Sequence, residues 1–180
     1  MNAVDCIKTR RSIRNYKEDR IPQEVINEVV DLARFAPSWK NTQIARYYVV
    51  QSAELKQNIA ENCMMDFAFN TKTLTKAPAL VVVAYVEKRS GYERDGSFTT
   101  SKEDRWEMFD TGIATQTFCL AAAEKGLGTC IMGIFDEAKI AEVISLPEGQ
   151  KVGAVVAIGY PAEEPAAPAR KEVEQLVQFL

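Results

Sequence analysis

The run "APALVVVAYVE", from Ala77 to Glu87, constrains the chain more than any other stretch. After Pro78 it is apolar without interruption as far as Val86, and four of those residues are valine. A strand with one solvated face alternates polar and apolar side chains, whereas a continuous apolar strand is buried on both faces. Valine favours that extended state. The chain is therefore expected to build a sheet with cover on both sides.

The flanking sequence supplies elements for that cover. Residues 3–9 suit a short helix leading into a basic cluster. "IPQEVINEVVDLARFAP" carries Val25, Ile26, Val29, Val30 and Ala33 at helical spacing. Pro22 suits its first turn, and Pro37 ends it. "SWKNTQ" is a polar loop, "ARYYVVQS" a strand and "AELKQNIAENC" a helix. "KRSGYERDGSFTTSKED" is polar, holds two glycines and reads as an exposed excursion. A long helix is expected from about Arg105 to Lys125, with Gly126 near its C-terminal cap. "LGTCIMGIF" gives a short strand, "DEAKIAEVISL" a helix opened by Asp136, and "KVGAVVAIGYP" a strand closed by a turn. A proline-rich extended arm, "AEEPAAPARK", precedes the tail. No internal repeat or second domain is visible, so residues 1–180 read as a single domain of mixed α/β or α+β class.

Composition removes several kinds of chemistry. The chain has no histidine, which excludes histidine general bases, Ser-His-Asp and Cys-His catalysis, and histidine metal sites. Cys6, Cys63, Cys119 and Cys130 are far apart and form no CxxC pair, so the sequence gives no support to a metal centre. A net charge of −3 argues against nucleic-acid binding. No apolar run approaches the roughly 20 residues of a membrane span, and the first residues lack the pattern of a signal peptide. A cytoplasmic protein is expected. If it is an enzyme, a bound cofactor must carry the difficult chemistry.

Five stretches stand out. "TRRSIRNY" packs Arg10, Arg11 and Arg14 around Ser12. Guanidinium forks and a hydroxyl match phosphate or carboxylate, but the stretch alone reads at least as well as a solvated basic turn. "APSWKNTQ" offers Ser38, Trp39, Asn41, Thr42 and Gln43, whose amides suit a heterocycle edge; packing of Trp39 on the core explains it equally. The small residues between Asp110 and Ala123 suit either a central core helix or a homodimer interface. Gly126, Gly128 and Gly133 do not make the GxGxxG of a Rossmann site, although Gly133 would let a backbone N–H approach a flat ligand. Arg170 and Lys171, at the end of the stiff arm, either meet the first basic cluster or fray in solvent.

In order, "RRSIR", "APSWKNTQ", "APALVVV", "DTGIATQTFCLAAAEKGLGTCIMGIFD", "AIGYP" and "ARK" resemble the nitroreductase family of flavin mononucleotide (FMN) enzymes. The resemblance spans nearly the whole chain. It implies an α+β fold, a three-layer α-β-α sandwich around a mixed or antiparallel sheet. It also implies a homodimer with flavin at the interface, touched by both subunits. By the same resemblance Arg10 and Ser12 bind the flavin phosphate side, and Arg11 lies by the isoalloxazine or ribityl region. Arg14 lies near the pyrimidine edge, where positive charge would stabilise the reduced flavin. Pro37, Ser38, Trp39 and Asn41 match a loop reaching the flavin from the partner. Met132 and Gly133 match the backbone beside the flavin N5 and O4, and Arg170 the C-terminal phosphate ligand. Asn70 and Lys72 stand near the place of an asparagine and a lysine that contact the ring in family members.

The implied activity is an FMN-dependent NAD(P)H oxidoreductase. Hydride would pass from NAD or NADP in reduced form through flavin N5 to a small electron-poor acceptor, a nitroaromatic or quinone, in a ping-pong cycle. No catalytic side chain is required; the Gly133 backbone would sit by N5. The alternatives are a flavin-binding protein without turnover and a specialised dehalogenase-like enzyme on the same fold. A phosphate- or RNA-binding module is disfavoured by the acidic balance. The segment from Arg89 to Asp104 is either a substrate lid or an open rim.

Overall fold

A computed structural model describes residues 2–180. Its sheet has four strands in the order β1-β2-β4-β3: β1 (Ala45–Val50), β2 (Ala79–Val86), β3 (Gly128–Met132) and β4 (Gln150–Gly159). Each neighbouring pair is antiparallel. The expected α+β sandwich therefore has an antiparallel centre rather than a mixed one. The apolar run forms β2, an inner strand flanked by β1 and β4.

Burial on both faces is complete where the sequence demanded it. Residues Ala79 to Ala84 are all 0% exposed. Ala79, Val81 and Val83 join Ile26, Val29, Phe118 and Cys119 in one core cluster. Leu80 and Val82 join Ile59, Leu74 and Ile140 in the other. Each fully buried valine or leucine contributes about 1.5–3 kcal/mol, so the two cores together fix the strand's place.

The first core lies under α2 (Gln23–Ala33) and α5 (Arg105–Glu124). The apolar stripe of α2 buries Ile26, Val29 and Ala33, as its spacing predicts. In α5 the small residues Ala114, Ala121 and Ala122 are buried, which favours the core reading for that face. Met108, Phe109 and Gly112 remain exposed. The second core lies under α3 (Ala53–Asn62), α4 (Ala68–Lys76) and α6 (Glu137–Val143). Asp136 caps α6 by accepting the Lys139 N–H at 3.1 Å.

The short α1 (Ala3–Thr9) precedes the basic cluster. Past β4, residues 162–180 run without sheet or α-helix, broken only by a single 3-10 turn at Val173–Gln175.

Candidate functional site

The two basic clusters meet. Arg10, Arg11, Ser12, Arg14 and Arg170 line one cavity of about 330 Å3, with Pro165 and Pro168 completing its wall. Local structure explains how the N-terminal set is held. Arg10 closes α1, its N–H donating to Cys6 O at 3.0 Å. Ser12 then makes a parallel bridge to Thr129 on β3, and the Ile13 N–H donates to Thr129 O at 3.0 Å. Gly128 permits this approach, since a Cβ there would lie 2.6 Å from Ile13 Cγ1.

The charge in this cavity is unspent. Arg11 Nη1 donates to Lys8 O at 2.7 Å and Arg10 O at 2.8 Å, so part of this side chain caps the end of α1. Arg14 Nη1 donates to Ser12 O at 3.2 Å, and Arg170 Nη1 donates to Pro168 O at 3.3 Å. These partners are neutral carbonyls. Among the described residues, none of the four guanidiniums has a carboxylate within the 4.0 Å of an ion pair. Arg10 and Arg11 are half-buried, Arg14 and Arg170 exposed, and unpaired guanidiniums lining one cavity with a serine are a donor set suited to an anion. Lys171 does not line the cavity.

Glu163 holds the two halves together without entering that set. One of its oxygens accepts the N–H of Arg14 at 2.7 Å and of Asn15 at 3.0 Å; the other accepts from the Asn15 amide. The Arg14 N–H bond, followed by that of the Asn15 side chain, keeps its carboxyl below the usual range. Lys76 at the end of α4 donates to the side-chain oxygen Oδ1 of Asn15.

The "SWKNTQ" loop lies elsewhere on the chain. Pro37 and Ser38 line a second, larger cleft of about 440 Å3 bounded by α2, β1 and Asp110. Trp39 rests against Trp106, with ring centroids 4.7 Å apart, and among the described residues its buried Nε1 has no hydrogen-bond partner. Asn41 is exposed. A single chain thus does not bring Pro37, Ser38, Trp39 and Asn41 to the arginine cavity. Lys40, Asn41 and Gln43 all have positive φ (43°, 58° and 50°), a conformation that non-glycine residues adopt only when their surroundings impose it. Asp110 anchors the start of this loop, its Oδ2 accepting from the Trp39 N–H at 2.8 Å and from the Ser90 hydroxyl at 2.6 Å, and the Gln43 N–H donates to Ser38 Oγ at 2.9 Å.

Met132 is 3% exposed and belongs to the core, so only its backbone is available to a ligand. Gly133, just beyond β3, is exposed, and a Cβ there would meet nothing within 4 Å. Its own chain therefore does not require glycine at this point. Asn70 donates to Ile134 O at 3.0 Å, which puts the N-terminal part of α4 beside this segment. Lys72 is exposed on the same helix. Residues 89–104 are tied down by a Tyr92–Phe98 bridge and by a Lys40–Glu93 ion pair of 3.0 Å.

The model of the Nitroreductase family matches residues 7–76 and 67–160. The chain belongs to the nitroreductase family. A family relative from Methanothermobacter thermautotrophicus carries the provisional name NADH dehydrogenase/NAD(P)H nitroreductase; it is 31% identical over 172 residues, 92% of this chain and 80% of that protein. The solved structure of an FMN-dependent nitroreductase from Clostridium difficile R20291 is 26% identical, with a TM-score of 0.78 over 98% of both chains. An iodotyrosine deiodinase from Thermotoga neapolitana is 25% identical over 189 residues, covering 94% of each chain.

For this nitroreductase-family chain, sequence reasoning singled out all four arginines and the serine that line the cavity. It missed Glu163 and Asp110. Neither sits in a recognisable motif, Asp110 in "EMFDTGIA" and Glu163 beside Glu164 in "YPAEEPAAP", and their roles arise from contacts with residues far away in the chain. Among the described residues, no helix is long and apolar enough to cross a membrane, and no cluster of His, Cys, Asp or Glu could hold a metal ion.

Proposed function

We propose that this chain is an FMN-dependent oxidoreductase that draws hydride from NAD(P)H and reduces a small electron-poor acceptor. The observation that carries this reading is the convergence of Arg10, Arg11, Arg14, Arg170 and Ser12 on one cavity with, among the described residues, no acid paired to the guanidiniums. That donor set fits FMN, whose phosphate is the anion such guanidiniums recognise. The open space at Gly133 suits a flat ring.

FMN held in this site would supply the hydride chemistry between NAD(P)H and a nitroaromatic, quinone or similar acceptor, in a ping-pong cycle. The chain's own part is placement and electrostatics. Arg10, Ser12 and Arg170 hold the phosphate. Arg14 presents positive charge toward the pyrimidine edge and favours a ligand that gains negative charge there. Arg11 braces the end of α1 and lines the same cavity toward the ribityl side. The Gly133 backbone N–H donates beside the ring, and Met132 fixes that segment by anchoring in the core. Pro37, Ser38, Trp39 and Asn41 serve the flavin of the partner subunit in a homodimer. The separation of their cleft from the arginine cavity in one chain supports that division of labour. The four cysteines are free buried thiols, which suits a reducing cytoplasm.

The likeness to iodotyrosine deiodinase supports a second reading, reductive dehalogenation on the same fold. One experiment addresses the alternatives. The purified chain is reconstituted with FMN and mixed anaerobically with NADH or NADPH, then with a nitroaromatic, a quinone or an iodotyrosine. Bleaching of the yellow spectrum followed by recovery with the nitroaromatic or quinone is the expected result. Recovery with iodotyrosine alone would favour the dehalogenase. A yellow protein that never bleaches would be a passive binder, and a chain that takes up no FMN would overturn the proposal.

A further inference from the structure

We infer that Glu163 is a positioning residue that locks the N-terminal turn to the C-terminal arm and thereby sets the spacing of the phosphate cradle. The inference rests on the flavin reading above and extends it to a residue outside the cavity lining. The arm starts in register with the turn: the Lys17 N–H donates to Tyr160 O at 2.9 Å, and the Ala162 N–H to Asn15 O at 3.0 Å. Glu163 completes this zipper with both carboxylate oxygens, one on the backbone N–H groups of Arg14 and Asn15 and one on the Asn15 amide. Lys76 fixes the side-chain oxygen Oδ1 of Asn15, so the amide can point only one way. Beyond Glu163, Pro165 and Pro168 stiffen the path to Arg170. The place where the arm leaves the zipper therefore decides where Arg170 meets Arg10 and Ser12.

The sign of the charge makes this more than a packing remark. An ionised carboxylate near an anion site opposes the anion. Its neighbours keep Glu163 ionised, since its bonds to the Arg14 and Asn15 N–H groups favour the charged form. A bystander acid would thus weaken phosphate binding, and removing its charge would tighten it. A positioning acid predicts the opposite. Glutamine offers one acceptor oxygen and turns an NH2 toward the Asn15 NH2, so the Lys76–Asn15–Glu163 chain breaks.

The test is a fluorescence titration of the full chain, stripped of bound flavin, with FMN and with riboflavin, which lacks the phosphate. Glu163→Gln should weaken FMN by about ten-fold or more, the scale of a lost charged hydrogen bond, and leave riboflavin within about two-fold. Lys76→Met should give a smaller loss in the same direction, again for FMN alone. Unchanged or tighter FMN binding in Glu163→Gln overturns the inference, as does an equal loss of both ligands, which would mark a general structural role. Should Glu163→Gln lose its cooperative melt, the charge-neutral Asn15→Ala decides: a selective FMN loss supports positioning and unchanged affinity refutes it. A wild-type chain that binds neither flavin refutes the proposed function itself, an outcome distinct from the other failures.

Discussion

The Trp39 N–H donates to Asp110 Oδ2 at 2.8 Å, tying the loop before β1 to the N-terminal part of the sandwich's long helix. The same oxygen accepts from the Ser90 hydroxyl at 2.6 Å, and Ser90 Oγ lies 2.7 Å from Thr42 Oγ1. One buried carboxylate thus holds both the "SWKNTQ" loop and the start of the 89–104 excursion. The positive φ angles of Lys40, Asn41 and Gln43 cost of order 1–3 kcal/mol each and need such an anchor. Asp110→Ala removes the acceptor of one buried donor, the Ser90 hydroxyl, and one part-buried donor, the Trp39 N–H. It should destabilise the fold by about 2–4 kcal/mol, seen as a lower Tm, and should reduce turnover further than the stability loss explains. Wild-type turnover in a folded Asp110→Ala variant would show that the loop serves no flavin.

Arg10 and Arg170 stand at opposite ends of the chain yet line one cavity. Each charged hydrogen bond to a phosphate contributes about 1.5–3 kcal/mol, or roughly ten- to a hundred-fold in affinity. Arg10→Ala combined with Arg170→Ala should therefore release FMN during purification, whereas each single variant should retain part of it. Flavin content measured by absorbance checks this. A double variant with full occupancy would remove the phosphate assignment.

How much of this was legible in the sequence depends on the range of the interaction. The apolar run fixed an inner strand, and the valine and isoleucine spacing of residues 23–33 fixed a helix, because both patterns report burial directly. The helix α4 was not expected. "AFNTKTLTK" has three threonines and no side-chain cap at its start, so local propensity is weak. Burial of Thr73 and Leu74 in the tertiary fold stabilises it instead. The arginines of the cavity were legible because guanidinium is chemically distinctive. Glu163 and Asp110 were not, since a carboxylate outside any motif gives no local sign of the distant N–H it will accept.

Gly128 joins fold and site at one atom-scale contact. An added Cβ would lie 2.6 Å from Ile13 Cγ1 and 2.8 Å from Ile13 Cβ, and neither β3 nor the Ser12 bridge can give way freely. Gly128→Ala should push the turn bearing Arg10 and Ser12 off the sheet. It should cost about 1–3 kcal/mol, as overpacking does, and weaken FMN. Ile13→Ala in the same chain should recover only part of that loss, because it removes the Cγ contacts but leaves Ile13 Cβ 2.8 Å from the added carbon, and the lost isoleucine packing adds its own penalty. The signature is non-additivity between neighbours, measured as Tm and flavin affinity in the two single variants and the double.

Glu107 gives a pH prediction of definite sign. It is buried on α5, and burial raises its carboxyl above the ordinary range even though the Arg89 and Lys88 backbone N–H groups partly oppose the shift. A carboxyl whose pKa is higher folded than unfolded binds more protons in the folded state between the two values. Its contribution to stability therefore falls as pH rises through that window, and the loss persists at neutral pH. Glu107→Gln keeps an oxygen to accept from Arg89, 3.4 Å away in the wild type, and removes the buried charge. The variant should melt higher than wild type at pH 8, and the difference should shrink as pH falls below the ordinary glutamate range. A lower Tm for Glu107→Gln at pH 8 would show that the carboxylate stabilises the base of the excursion by more than its burial costs.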